Sequence, residues 1–214
     1  DQPALIRIKG AMVATTIAEH FRDQGKDVML LMDSITRLAM AQREIGLAVG
    51  EPPATKGYPP STFAMLPGLL ERAGNAERGS VTGLYTALVE GDDFNEPISD
   101  AVRSILDGHV ALSRRLAAQN QYPAVDVLDS ISRLMKDVVP AEHTDLAAKV
   151  RQLVATYREA EDLINIGAYV KGSNSMIDLA IAKMEPLNNL LRQKIFEYVP
   201  HEDAVQQLSE VVHS

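Results

Sequence analysis

Asp33 stands at the end of an apolar run, Val28 to Met32, that Lys26 and Asp27 precede. Charge, an unbroken apolar stretch, then a carboxylate is the pattern of a fully buried central strand. In open α/β sheets ligands bind outside the carboxyl ends of the strands, so Asp33 is expected to face a binding crevice. Nucleotide-hydrolysing proteins place an acidic residue there to hold the water shell of a magnesium ion. The same residues equally suit a buried strand whose Asp caps the next helix, a task open to Ser34 as well. A second strand pattern, Ser80 to Val89, also ends in acidic residues, Glu90, Asp92 and Asp93.

Composition narrows the remaining chemistry. The 214 residues contain no cysteine, which excludes disulfides, thiolate metal sites and a cysteine nucleophile. Five histidines are scattered with no pair at helical ligand spacing, which argues against zinc. With 21 basic and 29 acidic residues the formal charge is −8, and aromatic content is 5%; neither suits a surface that coats or stacks on nucleic acid. No apolar run approaches the length of a membrane span.

The elements that must position Asp33 follow from periodicity. Val13, Ile17 and Phe21 recur every fourth residue and Gly25 ends the pattern, which predicts an amphipathic helix feeding the strand Asp27 to Met32. A helix from Ser34 to about Leu47 is expected to turn Ile35, Leu38 and Ala39 inward. Four prolines and two glycines in residues 50–63 forbid a continuous helix or central strand. That segment reads either as a surface linker or as a functional loop behind Asp33. Ile98, Val102, Ile105, Leu106 and Leu112 predict a helix or helix pair, and Tyr122 to Val127 a third strand. After Pro140 the pattern is helical throughout. Thr144 is expected to cap a long helix whose face is Leu146, Val150, Leu153, Val154, Tyr157 and Ile164, and which ends at Gly167. Ser173 or Asn174 opens another helix, kinked or restarted at Pro186, and a last one spans about Asp203 to Val212.

Three stretches carry a resemblance: LLMDSITRLAMAQREIGLAVGEPPATKGYPPSTFAMLPGLLERAG, GSVTGLYTALVEGDDFNEPISDAVRSILDGHVALSRRLA and QYPAVDVLDSISRLM. Together they resemble the flagellar protein export ATPases, a type III secretion family related to the catalytic subunits of rotary ATP synthases. The wording AMAQREIGL and EPPATKGYPP is closer to the flagellar than to the virulence branch. The resemblance implies an α/β fold: the C-terminal part of a RecA-like P-loop core over residues 1–140, a mostly parallel sheet with flanking helices, then an all-helical domain over 141–214. It implies ATP and magnesium, with Asp33 as the Walker B carboxylate acting on the metal through water. Arg133, in SISRLM, falls on an arginine finger that reaches the neighbouring subunit's site. Read from its surroundings alone, Arg133 is a helix-surface arginine pairing with Asp129 or Asp137. Tyr122 falls on a tyrosine against the adenine ring, and is otherwise a strand-edge aromatic covering core. Arg37 matches a charged position that arranges loops near the site, and Phe196 an adenine-pocket position in the helical domain.

The resemblance also implies a hexameric ring of identical subunits, a cytoplasmic place in a bacterium at the inner face of the export apparatus, and peripheral membrane association. Its expected partners are a stator-like regulator, a central stalk-like protein, the export gate, and export chaperones and substrates, with no nucleic acid. Residues 167–178, a glycine-marked turn between two helices, are the candidate stalk contact; a plain interhelical loop is the alternative. The departures are as informative. No GxxxxGK[ST] phosphate loop occurs in the sequence, nor does the family's water-activating glutamate. The chain opens on Asp1, without a methionine, and is expected to be the C-terminal part of a longer protein. Alone it is expected neither to bind ATP tightly nor to hydrolyse it. A non-catalytic docking module of a rotary-type ATPase, which would also keep an SxSR finger, is the alternative.

Overall fold

The computed structural model of the protein describes residues 2–89, 91, 93 and 95–213. Helix α1 (Ala4–Asp23) stops where Gly25 takes φ +82°, a conformation that costs any side chain but glycine's. Strand β1 (Asp27–Met32) follows, then α2 (Ile35–Ala48), capped by Ser34 Oγ, which accepts from the Arg37 N–H. Helix α3 (Pro60–Leu70), strands β2 (Gly74–Asn75) and β3 (Ser80–Tyr85), and α4 (Pro97–Ile105) complete a compact unit, Asp1–Leu106. β1 and β3 pair in parallel from Asp27 opposite Ser80 to Met32 opposite Tyr85, and β2 lies antiparallel on β3.

The core of this unit lies among α2, α3 and α4. Ile35, Leu38 and Ala39 point inward as their spacing predicts, against Leu66, Leu69, Ile98 and Val102. Each of the larger side chains removed from water here contributes roughly 1.5–3 kcal/mol. Two expectations fail here. β1 is not buried on both sides: Leu30 is covered, whereas Met29 and Leu31, which point to the opposite face, are 66% and 67% exposed, and Leu84, paired with Leu31 on β3, is exposed with them. And α1 turns its small residues inward. Ala18 packs with Leu30 and Val81, while Val13, Ile17 and Phe21 are exposed. Small side chains let a helix approach a sheet closely, and that preference outweighs the larger apolar stripe.

The proline-rich segment is ordered rather than a loose linker. Tyr58 is buried, Ala54 N–H donates to Tyr58 O at 3.0 Å, and Glu51 Oε2 accepts from Ser61 N–H at 3.2 Å at the start of α3.

The second unit, Asp107–Ser214, comprises β4 (Gly108–Leu112), α5 (Arg114–Ala118), β5 (Val125–Ser132), α6 (Met135–Val138), α7 (Ala141–Asn165), α8 (Ser175–Leu191) and α9 (His201–His213). Leu112 therefore belongs to a strand, not to the predicted helix. β4 pairs antiparallel with β5, and a Cβ on Gly108 would come within 2.4 Å of Ile131 O, so the pairing requires glycine there. Val150, Leu153 and Val154 of α7 pack on Ala180 and Leu187 of α8, with Val127 and Leu128 of β5 beside them. α7 starts at Ala141, with Pro140 rather than Thr144 at its N-cap, and its C-terminal turn is closed by Gly167 at φ +70°. α8 continues through Pro186 to Leu191.

Candidate functional site

In the first unit the parallel register decides the geometry. With Met32 opposite Tyr85, the next residues, Asp33 and Thr86, emerge side by side from the carboxyl ends of β1 and β3. Thr86 N–H donates to Met32 O at 3.0 Å, and Thr86 Oγ1 donates to Asp33 Oδ1 at 2.8 Å. Asp33 is exposed, and its peptide bond to Ser34 is cis. Helix α2 starts immediately and brings Arg37 to the same ≈350 Å³ hollow, which Arg7 of α1 also lines. Arg7 is paired with Glu44 at 2.9 Å.

The strand expected to run from Ser80 to Val89 stops at Tyr85, so the acidic residues after Val89 do not end it. Glu90 and Asp92 lie outside the described residues. Asp93 is engaged: Lys56 Nζ donates to its Oδ2 at 3.2 Å, and that bond, with one from the Asn95 N–H, holds the carboxyl below the usual range. Among the described residues no cluster of three or more His, Asp or Glu could cage a metal. What Asp33 offers is one oriented, solvent-facing carboxylate. That fits magnesium, which keeps several waters and takes one or two carboxylates together with substrate phosphates.

In the second unit Tyr122 and Phe196 line one open groove with Ile195, Lys194 and Asn120. The segment after α8 is fastened back to the strand approach, since Gln193 N–H donates to Tyr122 O at 2.8 Å. Tyr122 is 54% and Phe196 98% exposed, so both rings offer faces to a flat apolar ligand. Arg133 sits not on a helix but in the turn after β5, exposed, with its N–H donating to Asp107 O at 2.8 Å. The structure thus gathers Asp33 with Arg37 in one unit, and Tyr122 with Phe196 in the other. Thr86 was missed from sequence; the pairing of two apolar runs that both end in polar residues was the available signal.

Residues 1–132 match the ATP synthase alpha/beta family, nucleotide-binding domain. The chain belongs to that family. Its residues 139–210 match the C-terminal domain of the EscN ATPase of type III secretion, which places this alpha/beta-family chain with the flagellar and type III secretion ATPases. It is 57% identical over 209 residues to the flagellum-specific ATP synthase of Bacillus subtilis (strain 168), covering 98% of this chain and 48% of that relative. The assembled ATPase EscN from the type III secretion system of enteropathogenic E. coli superposes with a TM-score of 0.96 at 50% identity, covering 99% of this chain and 52% of EscN. EscN in complex with its central stalk EscO gives 0.89 at 49% identity, over 99% of this chain and 51% of that one. The chain spans about half the length of the curated relatives it matches. Its fold is accordingly an α/β nucleotide-binding domain of ATPase type followed by a helical C-terminal region.

Proposed function

We propose that this chain works as part of a ring-forming ATPase that hydrolyses ATP to energise protein export through the flagellar type III secretion apparatus. The observation that carries the reading is the Asp33–Thr86 pair at the carboxyl ends of two parallel strands, in a chain of this ATPase family. Asp33 would serve as the Walker B carboxylate, holding the water shell of a magnesium ion, and the hydrogen bond from Thr86 fixes its rotamer. Magnesium, bound with ATP, supplies electrostatic stabilisation of the phosphate charge. Tyr122 and Phe196 hold the adenine ring, Arg37 arranges the loop behind Asp33, and Arg133 is the finger that serves a neighbouring subunit. A finger acting in trans needs a closed heterologous ring, for which six subunits are proposed.

The turn between α7 and α8 is the proposed contact for a central stalk. The single Tyr169 O–H is shared between Asn174 O at 2.9 Å and Asp178 Oδ1 at 3.0 Å, which holds the turn in shape. Ile166 and Val170, 74% and 69% exposed, supply its apolar contact. That a stalk is bound at all is supported by the similar EscN, which was solved in complex with its central stalk EscO. A functional division at residues 140/141 is proposed with the function; it lies close to residue 139, where the second family match begins. A cytoplasmic place beside the export apparatus is proposed with the function; among the described residues no helix is long and apolar enough to cross a membrane. The virulence type III branch is the second reading, favoured by the superposition on EscN.

The 214-residue chain supplies only part of a nucleotide site, because it contains no GxxxxGK[ST] loop. Titrated alone with a fluorescent ATP analogue and magnesium, it should show no micromolar binding and no hydrolysis, whereas the full-length protein should show both. Micromolar binding by the chain alone would overturn the division of labour drawn here. In the full-length protein, Phe196→Ala or Tyr122→Ala should weaken ATP binding by roughly 5- to 150-fold, the range of about 1–3 kcal/mol measured per stacked base. Turnover at saturating ATP should be largely kept. An unchanged Kd in both variants would place the adenine elsewhere.

A further inference from the structure

Strand β5 does not pair evenly with β4. Ser132 lies opposite Gly108 and Ile131 opposite His109, yet the next pair is Asp126 with Ala111, so residues 127–130 face Val110 alone. A bulge of this kind takes backbone groups out of the ladder and re-aims the strand beyond it. Side chains take up what the ladder gives away. From α7, Arg151 Nη1 donates to Val127 O at 2.6 Å and to Ser130 O at 2.9 Å, and its Nη2 donates to Leu128 O at 3.2 Å. Asp126 Oδ1 accepts from the N–H groups of Leu128 and Asp129 at 3.0 and 3.4 Å. Ser130 Oγ accepts the Ala111 N–H at 2.9 Å and donates to Asp126 O at 2.6 Å. Arg133 follows only three residues after the last of these clamped positions, Ser130.

We propose that Arg151 is a positioning residue for Arg133: its guanidinium sets the shape of the β5 bulge, and the bulge sets the direction in which Arg133 leaves the strand. The proposal rests on the reading of Arg133 as a finger acting in trans. Three carbonyls converging on one guanidinium use its fixed fork of donors, which a lysine ammonium cannot reproduce. These contacts are exposed, so water can replace the donors when Arg151 is removed. What is lost is order in the bulge, not the fold. Arg158, two turns along the same helix, differs. Its Nη2 donates to both carboxylate oxygens of Asp126, whose side chain is 5% exposed, and its loss leaves a buried unpaired charge that endangers folding. Arg151 is therefore the site at which aim can be separated from stability.

The test uses the full-length ATPase. Arg151→Ala should lower kcat by about 10²-fold, the cost of misplacing a reacting group by roughly 1 Å. KM for ATP and the melting temperature should stay put, and Arg151→Lys should recover only part of the rate. Mixing of protomers supplies the deciding readout. Asp33→Asn protomers have a disabled site but an ordered finger, so mixed with Arg151→Ala protomers they should restore activity above the sum of the two. Arg133→Ala mixed with Asp33→Asn is the parallel control. Recovery in the control but none with Arg151→Ala would overturn the positioning role, as would a wild-type kcat in Arg151→Ala. No recovery in either mixture removes the trans-acting finger itself, and the proposal with it. If Arg151→Ala does not fold, Arg151→Gln, which keeps two donors, carries the same mixing comparison.

Discussion

Arg133→Ala in the full-length ATPase should lower ring turnover by about 10³- to 10⁵-fold, the range that an arginine finger supplies in nucleotide hydrolases, while ATP affinity stays near wild type. The expectation follows from where the residue sits. Arg133 is exposed in the turn between β5 and α6, and its N–H donates to Asp107 O at 2.8 Å. An arginine that served a helix surface would be worth less than about 1 kcal/mol to stability and nothing to rate. A finger that reaches another subunit acts only on charge that develops during transfer, so the ground-state complex should scarcely register its loss. Arg133→Lys keeps the charge but not the planar fork, and should remain far below wild type. Steady-state turnover read beside equilibrium binding decides the matter: hydrolysis that survives Arg133→Ala would remove the finger from this residue.

Asp33 and the start of α2 were legible because their signals are local. An apolar run ending in a carboxylate, then Ser34 before an apolar-periodic segment, needs no partner elsewhere in the chain to be read. The faces of β1 and α1 were not legible, since Met29, Leu31, Val13 and Ile17 are apolar whichever way they point. Only the packing of Ala18 against Leu30 and Val81 decides that. β4 was hidden for a related reason. Leu112 extends the helical spacing of Ile98 to Leu106, and what makes residues 108–112 a strand is their pairing with β5, with Gly108 against the Ile131 carbonyl. Thr86 and Arg151 lay further out of reach. One depends on the register of two strands more than fifty residues apart, the other on a bulge that exists only once β4, β5 and α7 have met.

Asp33→Asn should lower magnesium-dependent turnover by 10²-fold or more, on the order of the several kcal/mol that a metal site contributes to charge stabilisation. Nucleotide binding measured without magnesium should be unaffected. The substitution is nearly isosteric, and the amide keeps an acceptor at Oδ1 for the Thr86 hydroxyl, so the contact between the ends of β1 and β3 survives. What changes is the other side of the group. An ionised carboxylate is acceptor-only and would accept hydrogen bonds from the waters of a bound magnesium ion, whereas an amide turned to satisfy Thr86 would present donors to them instead. The loss should therefore appear only with the metal present, and the melting temperature of the variant should match that of the wild type. Equal losses with and without magnesium would mean that Asp33 holds the strand ends together rather than the metal's water shell. In that event Thr86→Val, which removes the same hydrogen bond from the opposite strand, should reproduce the whole effect; if Asp33 serves the metal, Thr86→Val should cost far less than Asp33→Asn.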